Sequence, residues 1–188
     1  MTVLARWRVT ERLGRDWPRQ VVWRDVPELA RAGDGPWDTG GASLAVRDDG
    51  GAAAPAQVDA EGGRVWYPAD LPARETRRYE LVEVDEPVPS PLMWAVTGDE
   101  LEIAVGDFGA RLAWHDAGAG EPRPPLAGVR GPAGVWFGTS DWEGIAFDDL
   151  RCQVVESGPV RLVVRQLYTT GDGACLTCEY SFDCASPV

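Results

Sequence analysis

Short strand-like runs separated by turn residues cover most of this chain, and they constrain its fold more than any other feature. Runs rich in Val, Leu, Trp and Tyr recur between Gly, Pro and Asp at intervals of about ten residues, a spacing typical of β-sandwiches and barrels. Pro18 and Pro27 interrupt the helical period between Leu13 and Arg31, so that at most a turn or two of helix remains over 27–32. The sequence predicts an all-β chain with little helix.

The expected strands follow from these runs and their turn residues. They lie at 3–10, 19–23, 43–47, 57–58, 64–67, 76–84, 93–97, 101–105, 110–115, 135–139, 144–147, 151–156, 160–168 and 175–182. The Pro- and Gly-rich stretch 118–134 is predicted to be a long loop, because strand patterns resume on both sides of it.

A Pro-rich connector divides the strand-like runs into two groups. Glu86-Pro-Val-Pro-Ser-Pro cannot pair in a central strand and favours an extended link between two β-sandwich or barrel units. We therefore expect a first unit at 1–85, a linker at 86–91 and a second unit at 92–188. The chain has 188 residues, of which 44% are hydrophobic, enough to build a core.

The last part of the chain reads as a hairpin, with a strand from Gly158 to Tyr168, a turn at Thr170-Gly-Asp-Gly and a second strand from Cys175 to Phe182. Both arms have the composition of a packed sheet, yet no segment follows to cover them. The second unit is therefore expected to be incomplete at its C-terminal end. Self-association through this hairpin is expected as well, because an uncovered strand leaves unpaired backbone groups at a sheet edge.

Charge and composition exclude several functions. All 18 basic residues are arginine, which indicates a bias in base composition, and the formal net charge of -12 opposes binding to nucleic acid. With no lysine, the chain alone has no Schiff-base or Walker-type chemistry. The N-terminus lacks the apolar run of a secretory signal, and no stretch is long enough to span a bilayer. We expect a cytoplasmic protein with no membrane partner.

Two groups of motifs resemble a known family. Ser43-Leu-Ala-Val-Arg-Asp-Asp-Gly-Gly, Pro55-Ala-Gln-Val and Asp70-Leu-Pro-Ala-Arg-Glu-Thr-Arg-Arg-Tyr resemble the small N-terminal β domain of large carbohydrate-active enzymes. Glu156-Ser-Gly-Pro-Val-Arg followed by Tyr180-Ser-Phe is similar to the galactose-mutarotase-like β-sandwich of exo-acting polysaccharide lyases, of the exo-rhamnogalacturonan-lyase type, and of related glycoside hydrolases. In such enzymes, the resemblance implies, a sugar chain lies between the sandwich and a helical toroid. The toroid has no counterpart in this sequence.

Aromatic and acidic residues meet in one segment. Glycoside hydrolysis needs two carboxylates across a sugar, and sugar faces favour stacked aromatic rings. Trp136, Asp141, Trp142 and Glu143 therefore form the candidate substrate-binding surface. The alternative is that both carboxylates are solvated turn residues and both tryptophans are core anchors. Trp7, Trp23, Trp66, Trp94 and Trp114 are expected to be mostly core, and Trp17 and Trp37 to lie in loops, where they bind sugar or fill a domain junction.

No cofactor or metal site is expected. Cys175 and Cys178 fall in one predicted strand, where a spacing of three sends side chains to opposite faces rather than to one zinc ion. His115 is the only histidine, so neither a catalytic triad nor a site with several imidazoles is readily assembled. Two functions remain open. The chain is either the β-rich portion of a polysaccharide lyase or glycoside hydrolase that contacts carbohydrate, or a non-catalytic module that binds a glycan or a protein.

Overall fold

Apart from one short helix, the regular structure is all β. The structure, a computed structural model, describes residues 2–30, 43–59, 63–115 and 122–185. The elements are β1 (Val3–Thr10), β2 (Trp17–Asp25), α1 (Pro27–Ala30), β3 (Ser43–Asp48), β4 (Ala53–Pro55), β5 (Gln57–Val58), β6 (Arg64–Leu71), β7 (Thr76–Val84), β8 (Leu92–Thr97), β9 (Glu100–Val105), β10 (Phe108–Ala113), β11 (Leu126–Arg130), β12 (Trp136–Phe137), β13 (Asp149–Ser157), β14 (Arg161–Thr169) and β15 (Cys175–Asp183). The prediction of an all-β fold is confirmed.

The chain forms two compact units. The first comprises Met1–Ser90 together with Gly158–Arg161 and Asp183–Ser186, and the second comprises Pro91–Ser157, Leu162–Phe182 and Pro187–Val188. The first unit therefore includes most of the Pro-rich connector and two short segments from the last part of the chain.

The first unit contains two antiparallel sheets, one with the strand order β1-β7-β3-β4 and the other with the order β2-β6-β5. Side chains alternate along each strand, so one face of each sheet is apolar. Trp7 and Tyr79 from the first sheet pack with Tyr67 and Val65 from the second, and Leu29 of the short helix joins the same core.

The second unit contains a five-stranded sheet, β12-β11-β10-β9-β8, and a three-stranded sheet, β13-β14-β15. Glycines at positive φ, Gly98 (62°) and Gly106 (57°), allow the tight turns that join β8 to β9 and β9 to β10. The three-stranded sheet holds the predicted hairpin. Its turn is closed by a backbone hydrogen bond of 2.9 Å from Thr170 N to Ala174 O.

Several local predictions differ from the structure. The stretch predicted to be a long loop contains the strand β11, and the short strand β4 was not expected. Residues 144–147, predicted to be a strand, form none. Trp17 begins strand β2 instead of lying in a loop, and Trp37 lies outside the described residues. In the described part of the chain, no helix is long and apolar enough to cross a bilayer.

Candidate functional site

The segment that follows β12 holds three of the four sequence-predicted site residues. The side chains of Asp141 and Glu143 are exposed, and Asp141 Oδ1 accepts a hydrogen bond of 2.8 Å from the backbone N of Trp142. The donor and the acceptor belong to adjacent residues, so this hydrogen bond is local to the segment. The two carboxylates are thus solvated.

Trp142 packs into the second unit. Its ring centroid lies 4.6 Å from that of Phe147 and 5.0 Å from that of Tyr168, and these rings join a buried cluster with Leu150 and Ala113. The indole Nε1 is buried without a hydrogen-bond partner among the described atoms. These contacts give Trp142 a role in the core of the second unit.

Trp136 has a different environment, on one face of the five-stranded sheet. The guanidinium carbon of Arg111 lies 4.0 Å from its ring centroid and that of Arg130 lies 5.3 Å away. The ring extends over Gly109 and Gly128, where a β-carbon would approach it to 3.1 and 3.4 Å. Sugar binding by Trp136, Asp141, Trp142 and Glu143 stays a prediction, and the two tryptophans occupy separate environments.

An aromatic concavity in the first unit was not identified from the sequence. A cleft of about 610 Å³ opens between β1 and β2, each an outermost strand of its sheet among the described strands. Its floor is formed by Trp7, Tyr67 and Tyr79. A volume of this size lies within the range of small-molecule sites, roughly 300–1,000 Å³.

Contacts within the floor fix its three rings. Trp7 Nε1 donates a hydrogen bond of 2.8 Å to the hydroxyl of Tyr67, and the centroids of Tyr67 and Tyr79 are 5.3 Å apart. Burial raises the pKa of Tyr67 to about 12 and also raises that of Tyr79. Both hydroxyls therefore remain protonated at neutral pH.

Cationic and aromatic side chains surround the floor. Arg8, Arg12 and Arg24 line the cleft and are exposed, while Trp17 is half-buried at one end of it. Of the described residues that line this space, none is acidic. Guanidinium groups bind carboxylate, sulfate and phosphate oxygens through paired N–H groups, and aromatic rings offer flat apolar surface. The cleft is suited to a ligand with both apolar faces and oxygen-rich edges.

The sequence predicted a core position for Trp7, and both Trp7 and Tyr79 are buried. The cleft itself was missed because it depends on the pairing of β1 with β7 and of β2 with β6, which brings distant residues together. The one local signal was the alternation Arg6-Trp7-Arg8, which places charged residues on either side of a buried ring.

Other tryptophans depart from the expectation of a core position. Trp23 and Trp94 are 50% and 40% exposed. Trp23 belongs to a stack on the first unit: Arg64 lies 4.5 Å above its ring, and Trp66 beside it is covered by Arg161 at 4.6 Å.

The cysteines are thiols, and they are distributed over both units. Cys175 is exposed on β15 and Cys178 packs against the core cluster of the second unit, as the strand period requires. Burial raises the pKa of Cys184 to about 11. Across the four described ranges, no group of three or more His, Cys, Asp or Glu side chains is arranged to hold a metal ion.

Comparison with known proteins adds no further assignment: no protein-family model matches the sequence, and no curated protein matches it.

Proposed function

We propose that this chain is the β-rich portion of a carbohydrate-active protein and that it binds carbohydrate in the cleft of the first unit. The observation that carries the proposal is the combination of a fixed aromatic floor, formed by Trp7, Tyr67 and Tyr79, with arginines at the opening. Aromatic rings and donor groups together complement the two kinds of surface on a sugar ring.

The proposal assigns binding, and no bond-breaking step, to this cleft. Glycoside hydrolysis requires a pair of carboxylates on either side of the scissile bond. The described residues around the cleft supply rings, hydroxyls and guanidinium groups instead. The motif resemblance to polysaccharide lyases and glycoside hydrolases supports the same class of ligand. In this proposal a catalytic centre is contributed by another part of such an enzyme.

Calorimetric titration with uronate-containing and with neutral oligosaccharides tests the proposal. We expect Trp17→Ala to weaken binding of a sugar ligand by about fivefold, equivalent to about 1 kcal/mol, because it removes an aromatic wall of the cleft. The matched control is Trp94→Ala, an exposed tryptophan of the second unit. Absence of binding by the folded wild-type chain, or equal weakening by both variants, would contradict the proposal.

The position of the cleft between β1 and β2 favours a second candidate, a protein partner. Among the described strands β1 pairs with β7 and β2 with β6, so each has one edge without a strand partner. An extended peptide can add to such an edge through backbone hydrogen bonds. Nuclear magnetic resonance of the amide-labelled chain distinguishes the two ligands, because a peptide strand would protect the edge amides of β1 or β2 from exchange and a sugar would not.

A further inference from the structure

Arginines gather on the face of the β1-β7-β3-β4 sheet that lies opposite the aromatic core. Strand register places Arg8 of β1 directly opposite Arg78 of β7. On the same face, Glu80 of β7 stands opposite Arg6 on one side and Arg47 on the other. The face therefore carries four guanidinium groups, two of them beside the carboxylate of Glu80.

Glu80 is bonded to its two neighbours. Arg6 Nε donates to Oε1 at 2.7 Å and Arg47 Nη2 donates to Oε2 at 2.6 Å. These two hydrogen bonds hold the pKa of the Glu80 carboxyl below its usual value, and the bond from Arg6 has the larger effect. The Glu80 carboxylate is thus already occupied, and it faces Arg6 and Arg47 rather than Arg8 and Arg78.

Beside the opposed pair, Asp49 Oδ2 accepts a hydrogen bond of 3.3 Å from the backbone N of Arg78 rather than from its guanidinium group. The side chains of Arg8 and Arg78 are exposed, and in the described ranges neither guanidinium makes an ion pair with a carboxylate. Like charges directly opposite each other across a strand pair are unfavourable. They stand here on a chain with a formal net charge of -12, where carboxylates outnumber arginines.

A shallow groove of about 330 Å³ accompanies the pair, and Arg6, Arg8, Arg78 and Glu80 line it. Arginine forks donate two parallel N–H groups to the oxygens of carboxylate, sulfate or phosphate. We propose that this groove is an oxyanion-binding site, in which a sulfate, phosphate or carboxylate group bridges the guanidinium groups of Arg8 and Arg78. The bound anion replaces repulsion between the two arginines with two charge-assisted hydrogen bonds. Arg8 also lines the cleft of the first unit, whereas Arg78 lines this groove and not the cleft.

Thermal unfolding of the full chain with inorganic sulfate or phosphate, at constant ionic strength balanced with sodium chloride, tests the site. A ligand that binds the folded state alone raises the melting temperature in a saturable way. We expect the double variant Arg8→Gln with Arg78→Gln to lose this rise and to bind at least tenfold more weakly by calorimetry.

The matched control is Arg151→Gln with Arg165→Gln, which removes two exposed arginines of the second unit and changes the net charge equally. Sulfate and phosphate also stabilise proteins by exclusion from their surface, an effect that both double variants share. A rise in melting temperature that is equal in both double variants and in the wild type would therefore overturn the proposal.

A second variant tests the site even if the double variant is too unstable to fold. Arg8→Glu converts the opposed pair into an attractive one with Arg78, so we expect it to melt at or above the wild-type temperature and to give no saturable response to anions. Retention of the response in this variant would overturn the site.

Titration with dextran sulfate and with uncharged dextran separates a polymeric source of the anion from a free one. Response to inorganic anions points to a free oxyanion, and response to dextran sulfate alone points to a sulfated chain. A response to neither by the folded wild type would overturn the proposal.

Discussion

At the scale of single residues, Gln57 joins two stretches that are far apart in the sequence. Its Oε1 accepts hydrogen bonds from Val160 N at 3.1 Å and from Arg161 N at 2.8 Å. A β-carbon at Gly158 would overlap the Cδ and Oε1 atoms of Gln57, so any other residue there would require the Gln57 side chain to move. Two of the motifs that resemble carbohydrate-active enzymes, Pro55-Ala-Gln-Val and Glu156-Ser-Gly-Pro-Val-Arg, thus meet in one contact.

We predict that Gln57→Ala lowers the free energy of unfolding by about 1–3 kcal/mol, because it leaves two amide groups without their acceptor. Gly158→Ala should also destabilise the chain, because its methyl group displaces Gln57. Chemical denaturation measures both. The control Gln153→Ala changes an exposed glutamine on β13 and should alter stability by less than about 0.5 kcal/mol. Equal effects of Gln57→Ala and Gln153→Ala would contradict the role of the contact.

Glu11 gives a prediction about pH. Its buried carboxylate accepts hydrogen bonds from the backbone N of Arg74 and Gly14, each at 2.8 Å, and from that of Leu13. These hydrogen bonds lower the pKa of Glu11, and the bond from Arg74 has the largest effect. A lowered folded-state pKa stabilises the fold above the unfolded value, about 4.3, and this stability is lost as the pH falls through the folded-state pKa.

We expect Glu11→Gln to lower the melting temperature at pH 7, because a side-chain amide presents a donor where three backbone donors converge. The difference from wild type should shrink as the pH is lowered from 4.3 toward 2. Melting curves across this range check the prediction, with the exposed Glu143→Gln as control. A melting-temperature difference between wild type and Glu11→Gln that stays constant with pH would show that the ionised Glu11 carboxylate is not its cause.

Trp142 allows a direct comparison of core and surface roles. Because its ring packs against Phe147 and Tyr168, we expect Trp142→Ala to destabilise the chain by about 3 kcal/mol. Chemical denaturation of Trp142→Phe, which keeps a ring in the cluster, should show a smaller loss. A stable Trp142→Ala variant that had lost sugar binding would instead support the sugar-contact hypothesis for this residue.

At the scale of elements, local patterns located most strands. Runs of β-branched and aromatic residues predicted β1 and β7 with the observed bounds. They failed for β11, whose sequence Leu-Ala-Gly-Val-Arg contains a glycine and follows Pro124 and Pro125. That strand is fixed by its pairing with β10 and by Trp136 lying over Gly128, contacts that propensity does not contain.

The strand β15 gives a prediction about assembly. It pairs with β14 and is an outermost strand of its sheet among the described strands, with Leu176 exposed. We expect the wild type to self-associate through this hairpin, because residues 175–178 at the start of the edge strand carry no charge and can pair with another strand. Leu176→Lys should shift the chain to monomer in size-exclusion chromatography with light scattering. A wild type that is monomeric at high concentration, or dimers unaffected by Leu176→Lys, would contradict this.

At the scale of the whole molecule, the first unit is formed by three stretches of the chain that are not continuous in sequence. It includes Gly158–Arg161 and Asp183–Ser186, and the described residues of these segments are joined by a hydrogen bond of 2.9 Å from Cys184 N to Val160 O. The sequence indicated the fold class because alternation and turn residues are local. It could not indicate that these segments join the first unit, or that the cleft forms, since both depend on contacts between residues far apart in the chain.

A fragment of residues 1–90 tests the importance of these returning segments. Such a fragment lacks the amide donors that Gln57 accepts from and the buried side chain of Val160. We expect it to unfold at lower denaturant concentration than the full chain, or without cooperativity, in circular dichroism measurements. An unchanged, cooperative transition would show that the first unit is stable without them.

The bond from Val160 N to Gln57 joins residues 103 positions apart, and this separation has a consequence for biosynthesis. Ribosomes add about 5–20 residues per second, so roughly 5–20 s pass between synthesis of the glutamine and synthesis of its partner. During that interval the nascent first unit has an open acceptor and an uncovered apolar site. The pace of translation between residues 57 and 160 therefore sets how long the Gln57 side chain waits for these hydrogen-bond donors.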